Sequence, residues 1–71
     1  MSDKLKQARI SAGLTMQQVV QQAGISRPTI ERAEGGKNPV TRVNAVRIVT
    51  AINELAGTNY TVEDLAIYTS G

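Results

Sequence analysis

The sequence predicts an all-α fold, one compact domain of five helices over residues 1–71. Three observations carry that prediction. Apolar residues recur at 3.6-residue spacing, most strongly as Ala45, Ile48, Val49, Ile52, Leu55 and Ala56. Residues that start helices precede these runs, and glycine follows most of them. No segment alternates apolar and polar residues as a half-buried strand does, and both prolines fall in turns or first turns.

The first helix is expected over residues 3–12, capped by Ser2 or Asp3, with Leu5, Ala8 and Ala12 along one face and Gly13 ending it. The second spans 16–23. Its entry, Thr15-Met16-Gln17-Gln18, matches the capping box, in which the threonine hydroxyl takes the N3 amide and the glutamine reaches back to the cap amide. Met16, Val19, Val20 and Ala23 form its apolar side, and Gln17, Gln18, Gln21 and Gln22 its polar side. Ala23-Gly24-Ile25-Ser26 is a tight turn, with Gly24 at a positive φ, Ile25 plugging the angle between helices and Ser26 capping the next.

The third helix spans 27–34, with Pro28 in its first turn, Ile30 and Ala33 inward, and Arg27, Pro28, Glu31 and Arg32 on the opposite face. It ends at Gly35-Gly36, too short to survive alone. Lys37-Asn38-Pro39 is a turn. Thr41 caps a fourth helix over 42–56, ended by Gly57. Thr61, with Asp64 three residues on, caps a short fifth helix over 62–68 that uses Val62, Leu65 and either Ile67 or Tyr68.

Composition narrows the function. There is no cysteine and no histidine, which removes disulfides, Cys/His zinc sites and any thiolate or imidazole mechanism. No cofactor or metal is implied. No apolar run approaches the roughly 20 residues that span a bilayer, and the start lacks the apolar core of a secretion signal. A cytoplasmic location is expected. The net charge is only +2, but it is unevenly spread. Residues 1–47 hold all eight Lys and Arg against Asp3, Glu31 and Glu34, a balance of +5, while residues 48–71 hold only Glu54, Glu63 and Asp64. Such asymmetry suits a polyanion on one side, although an ordinary solvated surface also accounts for it.

Leu5 and Arg9, Gly13-Leu14-Thr15, Ala23-Gly24-Ile25-Ser26, Thr29-Ile30-Glu31-Arg32 with Glu34, Gly36-Lys37 and Asn38-Pro39 together resemble the lambda-repressor/Cro-type (XRE-like) helix-turn-helix family. The resemblance runs from about Leu5 to Leu65. It implies that the helix after the turn lies in the major groove of double-stranded DNA, its first residues meeting base edges. Ser26, Arg27, Pro28, Glu31 and Arg32 are then the candidate base readers. Arg27 and Arg32 suit a guanine's O6 and N7, Glu31 a cytosine amino group, and Pro28 a thymine methyl. Phosphate contact is the alternative for either arginine, and an ion pair with Arg27 is the alternative for Glu31.

Thr15, Gln17, Gln18, Thr29, Lys37 and Asn38 are implied contacts to the DNA backbone, a footprint that Arg42 and Arg47 would extend. Arg9 and Glu34 match positions that form a structural ion pair in the family. Two departures stand out. The family's phosphate-binding glutamine at the start of the second helix is Met16 here, leaving Gln17 or Gln18 as its substitute. The stretch from Ile48 to Leu65 is also longer than the family pattern, so an extended fourth helix is expected.

The function implied is a sequence-specific transcriptional regulator, read as a repressor, acting as a homodimer on a pseudo-palindromic operator. No small-molecule ligand and no membrane enter this reading. The alternative is an antitoxin-like or anti-repressor protein-interaction domain that uses the C-terminal helices, marked by an exposed apolar patch on the last two helices, for example at Ile67 and Tyr68. An enzyme is excluded because the carboxylates are scattered and Gly35-Gly36-Lys37 lacks the rest of a phosphate-binding loop.

Overall fold

Local chemistry sets where each helix begins and stops. The computed structural model describes residues 4–70. Among them are α1 (Lys4–Ser11), α2 (Met16–Ala23), α3 (Arg27–Gly35), β1 (Val40–Thr41), α4 (Arg42–Ala56) and β2 (Thr69–Ser70). The capping box at α2 is complete: Gln18 donates its amide to Thr15 Oγ1 at 3.1 Å, and the Thr15 amide donates to Gln18 Oε1 at 2.7 Å. Thr41 Oγ1 accepts the Asn44 amide at 3.2 Å and so starts α4, which Gly57 ends. The expected cap of α1, Ser2 or Asp3, lies outside the described residues. Ala12 falls beyond the end of α1 and is exposed, so the buried face of that helix is Leu5 and Ala8 alone.

Ser26 departs from expectation in one respect. Its backbone is extended, as a cap requires, but its hydroxyl makes no capping bond and pairs with the Thr29 hydroxyl at 3.0 Å. Pro28 offers no amide hydrogen, and the Thr29 amide already donates to the Ser26 carbonyl at 3.1 Å. The hydroxyl therefore has no free backbone donor within its reach.

The fifth helix is absent, a correction to the predicted count: four α-helices are present among the described residues. Residues 62–66 form a single hydrogen-bonded turn. Thr61 and Asp64 cap it reciprocally, at 3.0 and 2.9 Å. It ends two residues later because Ala66 adopts a left-handed φ of 51°. The Ala66 amide then donates to the Glu63 carbonyl and the Ile67 amide to the Val62 carbonyl, the paired bonds of a Schellman stop. That reversal buries Ile67, leaves Tyr68 exposed and sends Thr69–Ser70 alongside Val40–Thr41 as a parallel pair. Two-residue strands are too short to show alternation in a sequence.

A left-handed alanine costs roughly 1 kcal/mol or more. Ala66→Gly should therefore raise stability by about 0.5–1 kcal/mol, or several degrees in melting temperature. Calorimetry of the variant checks this; an unchanged or lower melting temperature would show that Ala66 bears no strain.

The core joins all four helices and the C-terminal turn. Leu5, Val19, Ile30, Ile48 and Ile52 are fully enclosed, and Val62, Leu65 and Ile67 close the cluster from the C-terminal side. Each such side chain contributes about 1.5–3 kcal/mol relative to exposure. Leu55, expected in the core by its spacing, is over one-third exposed, and Ala51 is buried instead. The inward stripe of α4 thus turns slightly toward α2, its most extensive helical neighbour.

Candidate nucleic-acid interface

The turn between α2 and α3 fixes how α3 is presented. Gly24 has φ 66° and ψ 33°, a left-handed conformation in which a β-carbon is strained, and its amide donates back to the Val20 carbonyl at 3.0 Å. Ile25 is buried immediately after it, and α3 starts at Arg27. Ile30, Ala33 and Glu34 form the buried side of α3.

Glu34 is the one buried charged residue among those described, and Arg9 meets it from α1. Arg9 Nε donates to Glu34 Oε2 at 2.7 Å and Nη2 to Oε1 at 3.4 Å, so the carboxylate is gripped at both oxygens. Arg9 Nη1 donates to the Leu14 carbonyl at 3.1 Å. One guanidinium thus joins α1, the loop entering α2 and the last turn of α3. Its planar fork suits this bridging, which a lysine could not reproduce. No buried side-chain nitrogen or oxygen among the described residues lacks a partner.

The other side of α3 carries Arg27, Pro28, Glu31 and Arg32, all exposed. At about 1.5 Å per residue the helix is roughly 13 Å long, matched to a major groove about 12 Å wide. Arg27 Nε donates to Glu31 Oε2 at 3.2 Å, one turn away. Both side chains are more than half exposed, so this pair contributes little to stability. Its terminal Nη atoms make no hydrogen bond to a described residue and remain available as a two-donor fork. Arg32 and Lys37 form no ion pair with any described residue.

The flanks are sorted by their existing bonds. Thr15, Gln17, Lys37 and Asn38 are exposed, and Thr29 is half-buried. Gln18 has spent its carbonyl oxygen on the Thr15 amide, which leaves its NH2 group to donate outward. Met16 is half-buried against the core. Of the four glutamines on α2, Gln22 is turned away from this use: its Nε2 donates to Glu54 Oε1 on α4 at 2.9 Å. Arg42 is held by Glu63 at 2.8 Å, whereas Arg47 has no such partner among the described residues. The Arg42 guanidinium keeps the Glu63 carboxyl below the ordinary carboxylate value, helped by a backbone hydrogen bond. What the pair contributes is therefore present at neutral pH and disappears as acid protonates Glu63.

Asn53 is an organiser that sequence reading missed. Its Oδ1 accepts from the Tyr60 amide at 2.9 Å and the Thr58 hydroxyl at 2.8 Å, and its Nδ2 donates to the Tyr60 carbonyl at 2.9 Å. The segment after α4 is a loop folded around this one side chain; α4 ends at Ala56, where its predicted range ends, and the residues beyond do not extend it. An asparagine in the last turn of a long helix gave the only hint.

No helix among the described residues is long and apolar enough to cross a membrane. Searches of curated proteins and of solved structures each gave no significant match. The family signature described as a helix-turn-helix domain matches residues 1–58, which include α1 to α4 and the turn that presents α3. Geometry and signature agree, and the chain belongs to the helix-turn-helix DNA-binding family, of the lambda-repressor-like type.

Proposed function

We propose that the protein is a sequence-specific transcriptional regulator, a repressor, that binds double-stranded DNA as a homodimer on a pseudo-palindromic operator. The observation that carries the reading is the two-sidedness of α3. Ile30, Ala33 and Glu34 anchor it rigidly, while Arg27, Pro28, Glu31 and Arg32 face outward. In this reading Ser26, Arg27, Pro28, Glu31 and Arg32 meet base edges. Thr15, Gln17, Gln18, Thr29, Lys37 and Asn38 contact the flanking phosphates, which fixes register without reading sequence.

Dimerisation follows from size. A single module buries roughly 600–1,000 Å² on DNA, too little for high specificity. Two copies one helical turn apart supply the remainder, and exposed Val43 and Val46 on α4 offer apolar surface for their contact. Repression would come from occupying the operator, in the cytoplasm at the nucleoid. For the protein-interaction alternative, Ile67 is buried and Tyr68 exposed, while Val43, Val46 and Leu55 give α4 the exposed apolar residues that it would use.

Selection of bound duplexes from a random pool at two salt concentrations tests the proposal. A two-fold motif, with affinity falling steeply as salt rises, is the expected result. Tight binding without a motif would mean an architectural protein, and no enrichment by folded protein would overturn DNA binding.

A further inference from the structure

Gly35 is a glycine for which the fold has no use. It is the last residue of α3, and the left-handed stop is its neighbour Gly36, at φ 69°. A β-carbon at position 35 would meet nothing within 4 Å. Alanine favours helix over glycine by up to about 1 kcal/mol per residue, less at a last turn. Local stability therefore argues against glycine here, and packing does not argue for it.

Its position supplies a reason. Gly35 follows Glu31 by four residues and Arg32 by three, so it continues the outward face of α3. It also borders a shallow concavity of about 270 Å³ lined by Pro28, Glu31 and Arg32 on the helix and by Lys37 and Asn38 in the following loop. Arg32 and Lys37, which form no ion pair with a described residue, thus flank the bare backbone of Gly35, and the Glu31 carboxylate, beside Arg27, lies on the same face.

Resting on the DNA-binding reading above, we propose that a sugar–phosphate strand of the duplex passes over Gly35 on its way to Lys37 and Asn38. The missing β-carbon lets the strand close on the helix backbone, one of the uses to which glycine is suited. A methyl group there would hold the strand away and lengthen every phosphate contact beside it. Since backbone contacts carry no sequence information, the loss should be uniform over sequences.

The test compares wild type, Gly35→Ala and Gly35→Leu in melting temperature and in binding to the selected operator and to a scrambled duplex. The expected result is an equal or higher melting temperature for G35A, with affinity for both duplexes reduced about tenfold. G35L should lose more. Unchanged binding by G35A overturns the proposal while leaving DNA binding intact. A sharp fall in melting temperature overturns it too, by giving Gly35 a structural role. Wild type that binds neither duplex removes the DNA reading itself, and this proposal with it.

Discussion

Arg9→Ala is expected to lower the stability of the protein by about 3 kcal/mol, because it strands the Glu34 carboxylate with under one-tenth of its surface exposed. The same truncation leaves the Leu14 carbonyl without its guanidinium donor. For a domain of this size such a loss lowers the melting temperature on the order of 10–20 °C. Removing both charges with an apolar pair, Arg9→Met with Glu34→Leu, should recover most of it, since a buried ion pair can be replaced by packing but not halved. Arg9→Lys should recover little, because one ammonium cannot serve both carboxylate oxygens and the Leu14 carbonyl. Circular-dichroism melts of the four proteins decide the matter. A fully stable Arg9→Ala variant with weakened DNA affinity would show that Arg9 is a contact residue and that the pair has no role in holding α3.

The effect on function should come through placement. Arg9 ties the first helix to the last turn of α3, while the Gly24–Ile25 turn sets the other end. With both ends fixed, the outward residues of α3 share one rigid frame. At a temperature where the Arg9→Ala variant remains mostly folded, its base preferences should match those of wild type.

What the sequence made legible was what local rules decide. Thr15 with Gln18, and Thr61 with Asp64, revealed their reciprocal caps because that chemistry lies within four residues. The outward set on α3 followed from 3.6-residue spacing alone. The residues after Gly57 were not legible, since a capping box marks where a turn starts but not how far it runs. Ala66 ended the helix early by adopting a conformation that its residue type does not advertise, and Tyr68, Thr69 and Ser70 then took backbone positions set by pairing with the distant Val40–Thr41 segment. Spacing suggested Leu55 for the core, but the buried stripe of α4 takes Ala51 in its place. At the interface, sequence could not separate working glutamines from structural ones. Gln21 and Gln22 look alike until Glu54 is seen to hold Gln22.

Arg32 provides the sharpest test of how α3 would read DNA. Unlike Arg27, it has no intrahelical partner to release, and its donors make no hydrogen bond to a described residue. A bidentate bond to a guanine's O6 and N7 is worth about 1–3 kcal/mol of discrimination. Arg32→Ala should therefore weaken binding to the preferred operator by that amount, roughly tenfold or more, and relax the preference at one base pair in each half-site. Stability should change little, because the side chain is exposed and makes no ion pair with a described residue. Affinities for the operator and its single-base variants, measured for wild type and Arg32→Ala, distinguish the outcomes. If affinity falls equally for every duplex and the salt dependence becomes shallower by about one ion, Arg32 contacts phosphate. Base reading would then rest on Arg27, whose fork stays open while Glu31 holds its Nε.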